Sequence, residues 1–286
     1  MGKAHILSGS GIVLAAALAG LAPGGQAQAA DMLRGPYAGD QQPSRTAVAD
    51  WGGIYAGVHV GASVGTADPR RFASTHRNAL TASPAMPASI AATVSGMVGL
   101  RDTSATKFSY GAFIGANWQW DDVVLGIEGD YTRSDLRLRN STTSAQTYSP
   151  AAGTEYDLRV TSTSNVRVQD WATLRARIGW SAGMFMPYIT GGFALGSVRS
   201  QTSANAAWDR YSTVVLPRTY VDSGSVTSVL TRNGIAFGHA IGAGIDMQLM
   251  PGAFLRGEYL NVRFNSSTTR PQVSIHTFRV AGAVKY

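Results

Sequence analysis

The chain has 286 residues, of which 14% are charged, with 33 Gly, 11 Tyr, 6 Trp, no Cys and a formal net charge of +7. That charge content is well below the roughly 25% of an ordinary soluble domain, while the mean hydropathy is only −0.02. The missing cysteines exclude a disulfide scaffold, the aromatics exclude a disordered chain, and the basic balance comes without any finger, helix-turn-helix or RNA-recognition pattern.

In chain order, the first segment reads as an export signal. Lys3 supplies a positive start, Ile12 to Ala19 an apolar run, and Ala27-Gln28-Ala29 a small-x-small cleavage site. Pro23-Gly24-Gly25 interrupts the run before it reaches the roughly 20 residues of a spanning helix. The expected organisation is a signal peptide over 1–29 and a single domain over 51–286, joined by residues 30–50. No later run is long and apolar enough for a helix, so a bilayer is crossed by strands or not at all.

Eight segments of that domain alternate with period 2, the signature of strands with two unlike faces. The first, 54–64, sets Ile54, Val58, Val60 and Val64 against Tyr55, Gly57, His59 and Gly61. The second sets Phe108, Tyr110, Ile114, Trp118 and Trp120 against Ser109, Gly111, Phe113 and Asn117. The third carries Val123, Leu125, Ile127 and Tyr131, the fourth Ala172, Leu174, Ile178 and Trp180, and the weaker fifth Ile189, Phe193 and Leu195. The sixth runs from Ile235 to Leu249, the seventh holds Leu255 and Tyr259, and the last Phe278, Val280, Val284 and Tyr286.

Connections alternate in length. Asp121-Asp122, Ser181 to Met184 and Met250-Pro251-Gly252 are tight turns, whereas about 66–106, 138–166 and 200–233 are long and polar, with a shorter stretch at 266–272. Short–long alternation with an even strand number is the pattern of an all-β, eight-stranded antiparallel transmembrane up-and-down barrel, with short periplasmic turns and long extracellular loops. Charge placement separates this from a soluble sandwich. Glu128, Asp130, Arg175, Arg177, Asp246, Arg256, Glu258, Arg279 and Lys285 fall opposite the apolar rows, on the face that becomes the lumen. Arg133, Arg137, Arg139, Arg199 and Arg263, with Asp170 and His239, fall on the apolar face, but near the long connections. At about 3.3 Å per residue and a 40° tilt, ten residues climb the whole apolar band of about 25 Å. Trp118, Trp120, Trp180 and Tyr286 sit beside the short turns or at the C-terminus, where a lower aromatic girdle belongs.

Blocks of the chain resemble a known group. They include Trp51-Gly52-Gly53-Ile54-Tyr55-Ala56-Gly57, Ile114-Gly115-Ala116-Asn117-Trp118-Gln119 and Val124-Leu125-Gly126-Ile127-Glu128-Gly129-Asp130. Arg175-Ala176-Arg177-Ile178-Gly179, Pro187 to Ala194, Gly242-Ala243-Gly244-Ile245-Asp246 and Arg256-Gly257-Glu258-Tyr259-Leu260 continue the series. In order and spacing they resemble the small OmpA-like outer-membrane barrels, and most closely the immunogenic, porin-like surface proteins of alpha-proteobacteria. The chain departs from that pattern in ending on Tyr286 rather than Phe and in its long first loop.

The resemblance implies the outer membrane of a Gram-negative bacterium, a periplasmic linker over 30–50 and a structural, surface-presenting role. It implies periplasmic chaperones and barrel-assembly machinery as partners in biogenesis, the latter reading Phe278, Val280, Val284 and Tyr286. It also places the five outward arginines beside lipopolysaccharide phosphates, where they form either a lipid A-binding belt or solvated loop bases. The lumen charges make either a salt-bridge plug or the filter of a narrow channel. The low-complexity segment Thr81 to Gly96 reads as a mobile surface loop and a candidate adhesin or antigen. Its apolar stretch Ile90 to Leu100 either folds inward or extends a strand.

Catalysis has little to build on. His59, His76, His239 and His276 are scattered, and no spacing fixes a partner for His239, the one candidate base of a lipid A-modifying enzyme. Neither a metal-ligand spacing nor a cofactor motif occurs. The expectation is a non-enzymatic barrel without cofactor or nucleic-acid partner.

Overall fold

A computed structural model describes residues 50–264 and 272–286. The proposed signal peptide, nearly all of the linker and most of the short stretch at 266–272 lie outside the described residues. Eight strands follow one another: β1 (Gly53–Asp68), β2 (Thr103–Trp120), β3 (Val123–Ala151), β4 (Thr154–Trp180), β5 (Phe185–Ser212), β6 (Thr219–Met250), β7 (Ala253–Phe264) and β8 (Gln272–Lys285). Each pairs antiparallel with the next, and β8 returns to β1, closing the barrel. Closure leaves no sheet edge in the apolar band, which is what a strand protein needs in hydrocarbon.

The alternation seen in the sequence sets the two faces. Ile54, Val58, Phe193, Phe237 and Ile241 point outward and are more than half exposed, whereas Tyr55, His59, Phe113 and Arg175 point inward and are buried. At one end the strands are joined by tight turns. Gly183 and Gly252 take φ of +63° and +83° there, a left-handed backbone that a β-carbon disfavours.

At the other end β3, β4, β5 and β6 continue far beyond the barrel. They are 27 to 32 residues long, against the 9–11 or so that a tilted membrane strand requires. The stretches read from sequence as long polar loops, 138–166 and 200–233, are therefore mostly strand. Their alternation is present but inverted. Inside the apolar band the apolar residues face out. Beyond it Leu136, Leu138, Tyr156, Leu158, Val160, Ala204 and Ala206 face in and are buried, while Thr143, Arg159 and Gln201 face out. A sheet face turned to water must be polar and the opposite face must bury its apolar side chains, so leaving the lipid reverses the pattern. In β4 a β-bulge assists: Val168 and Trp171, three residues apart, both face inward.

The first connection is not a mobile loop. It folds as a 3-10 turn (Arg70–Phe72), α1 (Ala73–Thr81) and α2 (Ala88–Met97). Leu80, Ile90, Val94 and Val98 pack on Tyr156, Leu158, Val160, Ala204, Ala206 and Trp208, the inner face of the extended sheet. The apolar stretch beginning at Ile90 thus folds inward as a helix. His76 is fully buried between α1 and the sheet, with Ser228 Oγ 2.9 Å from its Nδ1 and Thr202 Oγ1 2.9 Å from its Nε2. Helices and sheet together form a two-layer head on top of the barrel.

Candidate functional site

Side chains fill the lumen in successive layers. Nearest the short turns lie Trp51, Tyr55, Phe113, Val124, Met186 and Phe254. Inward glycines make room for them: a β-carbon on Gly57 would lie 2.6 Å from Phe113 Cζ. Toward the head, Leu136, Leu138, Val166, Val168, Trp171, Leu260, Val262 and Phe264 close the bore with apolar groups.

Between these layers lies an ionic network of four carboxylates and four guanidinium groups, all essentially buried. Arg175 donates to Glu258 Oε1 and to Glu128 Oε1, both at 2.5 Å. Arg256 donates to Glu128 Oε2 (2.5 Å) and Asp246 Oδ1 (2.7 Å), and Arg177 to Asp246 Oδ2 (2.6 Å). Arg279 donates to Asp130 Oδ2 (2.7 Å) and Glu258 Oε1 (2.9 Å). Every carboxylate meets at least one arginine, and the eight formal charges cancel. Buried charge is tolerated under those conditions, where each ion is both paired and hydrogen-bonded.

Lys285, read from sequence as a ninth member, is not brought into the network. It lies at the short-turn end, where it bonds the backbone oxygen of Asp50 and sits 3.3 Å from that residue's carboxylate. The reason is its register: it is the last residue of β8, opposite Tyr55 of the aromatic layer, and its side chain reaches Asp50 instead of the charges beyond that layer. Sequence reasoning also missed three members. Tyr55 donates to Glu128 (2.8 Å), Tyr188 to Glu258 (2.6 Å), and His59 Nε2 lies 3.0 Å from Asp130 Oδ2. The signal available for Tyr55 and His59 was their place on the inward face of β1, the face of Gly57 and Gly61.

The five outward arginines are spread over three strands, β3, β5 and β7. Arg133 stands opposite Tyr110 and Asp170, Arg263 stands opposite His239 and Ser274 on the far wall, and Arg139 lies opposite Asn165. Arg137 and Arg199 are brought together, on either side of Arg167, which the sequence reading passed over. Trp118, Trp120 and Trp180 are each about half exposed on the outer wall beside the turns, and Tyr286 is 86% exposed at the chain end. His239 lies between Phe193 and Arg263. Among the described residues no cluster of three or more His, Cys, Asp or Glu could hold a metal.

A family model described as outer membrane protein beta-barrel domain matches residues 13–284. No curated protein matches. Among solved structures the chain is similar to Neisserial surface protein A, NspA, at 12% identity and a TM-score of 0.29, covering 82% of this chain and 97% of that one. It is also similar to Ail, the attachment invasion locus protein of Yersinia pestis (10%, TM-score 0.26, 82% and 99% covered). The N-terminal β-barrel domain of Pseudomonas aeruginosa OprF is a third (11%, TM-score 0.22, 79% and 96% covered).

Proposed function

Because this chain belongs to the outer membrane protein β-barrel family, we propose that it is a non-enzymatic anchoring barrel that holds a folded head at the cell surface and strengthens the envelope, not a diffusion pore. The observation that carries this reading is the filled lumen beneath a continued sheet. An aromatic layer, a charge-neutral ionic layer and an apolar layer succeed one another along the bore. Ion conduction would require water through all three, including an apolar stretch that resists wetting. Four of the eight strands that wall the barrel continue into the head, so the barrel is its base.

Planar-bilayer recording of the purified protein tests the closed lumen: no discrete conductance steps are expected, and regular steps would overturn the reading. Orientation is tested by single cysteines, which this Cys-free chain reports without background. Ser223→Cys in the head should react with a membrane-impermeant maleimide on intact cells, and Ala182→Cys in a short turn should not. The reverse pattern would overturn the assignment of the head to the outside.

A contact role for the head is favoured by one further observation. Its β5–β6 tip exposes Val214, Val215 and Leu216, at 70–83%, an apolar patch that water alone does not explain. Replacing the three with Ser should abolish adherence of expressing cells to host surfaces if the tip is the contact; unchanged adherence would remove that role. The outward Phe278, Val280 and Val284 of β8, with Tyr286 just after it, support recognition of this strand by barrel-assembly machinery, after escort by periplasmic chaperones.

A further inference from the structure

Three arginines on neighbouring strands stand directly opposite one another. Arg137 of β3 pairs with Arg167 of β4, and Arg167 with Arg199 of β5. All three point outward, just beyond the point where the outer wall ceases to be apolar. Like charges directly opposite in a sheet are destabilising, so this row is not explained by folding. One carboxylate, Asp135, meets it, at 2.6 Å from both Arg137 and Arg167. Three cations against one anion leave two charges over. Among the described residues Arg199 has no carboxylate partner.

The two rows above are polar in another way. Arg139, Asn165 and Gln201 stand opposite one another, followed by Ser141, Thr163 and Ser203. These residues line one shallow groove on the outer face of the sheet. Neighbouring strands are about 4.8 Å apart and successive rows about 7 Å. The face is therefore a patch about 10 Å wide with guanidinium groups at its foot and amides and hydroxyls above. Guanidinium groups grip phosphate bidentately, and a ladder of amides and hydroxyls suits the hydroxyls of sugars.

We propose that this face binds a phosphorylated oligosaccharide, the inner sugar region of the lipopolysaccharide anchored beside the barrel, with its phosphates on Arg137, Arg167 and Arg199. Charge complementarity and continuity select the occupant. The patch rises directly from the lipid-facing wall, so a saccharide tethered in the adjoining leaflet lies against it. The choice of occupant rests on the outward orientation of the head proposed above.

The test uses the full-length protein in detergent, titrated with deacylated lipopolysaccharide core oligosaccharide, with the same oligosaccharide after phosphatase treatment, and with inorganic phosphate. The phosphorylated core should bind, weaken with salt, and lose at least tenfold in affinity in the R167Q/R199Q double variant. The dephosphorylated core should bind at least tenfold more weakly than the phosphorylated one, and Arg159→Gln, higher on the same face, should change nothing. The thermal midpoint of the double variant should stay level or rise, since a repulsive row is relieved. A merely structural role for these arginines predicts a fall. Equal binding by the double variant, equal binding of the dephosphorylated core, or inorganic phosphate binding as tightly as the oligosaccharide would each overturn the proposal. Because the titration is done in detergent, it is independent of the maleimide labelling that tests orientation.

Discussion

Tyr55 stands directly opposite Gly115 in the β1–β2 ladder, and its hydroxyl occupies the place a side chain on Gly115 would need: a β-carbon there would lie 2.4 Å away. The same hydroxyl donates to Glu128 and accepts from Arg177 Nη1 at 3.1 Å. A small residue on one strand thus sets the position of a polar group shared by two others. Gly115→Val should overpack this point and cost about 1–3 kcal/mol. The measurement is the urea midpoint of heat-modifiable migration; an unchanged midpoint would show that the layer is loose.

Glu128 meets Arg175 and Arg256 at 2.5 Å and lies 3.7 Å from Arg177. Glu128→Gln should leave buried guanidinium charge uncompensated and destabilise the barrel by about 3–5 kcal/mol. Removing opposite partners together, as in Asp130→Asn with Arg279→Gln, should cost less than the sum of the two single changes. Equilibrium unfolding in detergent micelles reads both. Additive losses would mean that the pair is not coupled.

Burial holds the His76 imidazole below the ordinary histidine range by penalising its charged form. When α1 is undocked, the ring takes up a proton near its ordinary pKa of about 6.5. Docking of the helices therefore has its full stability above about pH 6.5 and loses it as the pH falls below that value. Protection of the amides in 73–81, taken relative to an intrinsic exchange rate that itself slows on acidification, should fall between pH 8 and pH 5. His76→Gln should remove that difference. Exchange in β1 and β8 should stay slow throughout.

Leu80 is fully buried between the helices and the extended sheet. Leu80→Ala should cost about 2–5 kcal/mol of helix docking and expose residues 73–97 to limited proteolysis. The barrel should keep its heat-modifiable migration, because the lumen layers do not depend on the helices. Loss of that migration would show that head and barrel fold as one unit.

Much of this architecture was legible in the sequence. Within the apolar band, lipid and lumen are so unlike that each strand must alternate, and the rows from Ile54, Phe108, Val123 and Ala172 declare which side is which. The inward charges were readable for the same reason. The head was not. In 138–166 and 200–233 the alternation sits among Ser and Thr with its apolar residues on the opposite face. Those stretches therefore look like loops to a reading tuned to lipid. The helices of 73–97 were hidden because their buried residues, such as Leu80 and Ile90, find their partners on strands more than sixty residues away.

Taken alone, the order of residues determined that there would be eight two-faced strands, where the tight turns fall and which charges face inward, because these follow from period-2 patterning and local backbone preference. Only closure of the ring decided that Arg256 would meet Glu128, 128 positions earlier, and only cross-strand register decided that Lys285 would stay out of the network and that Arg137, Arg167 and Arg199 would share one row. Cross-strand register is a property of the assembled barrel, set by how bulges and side-chain layers pack together, and no single strand contains it.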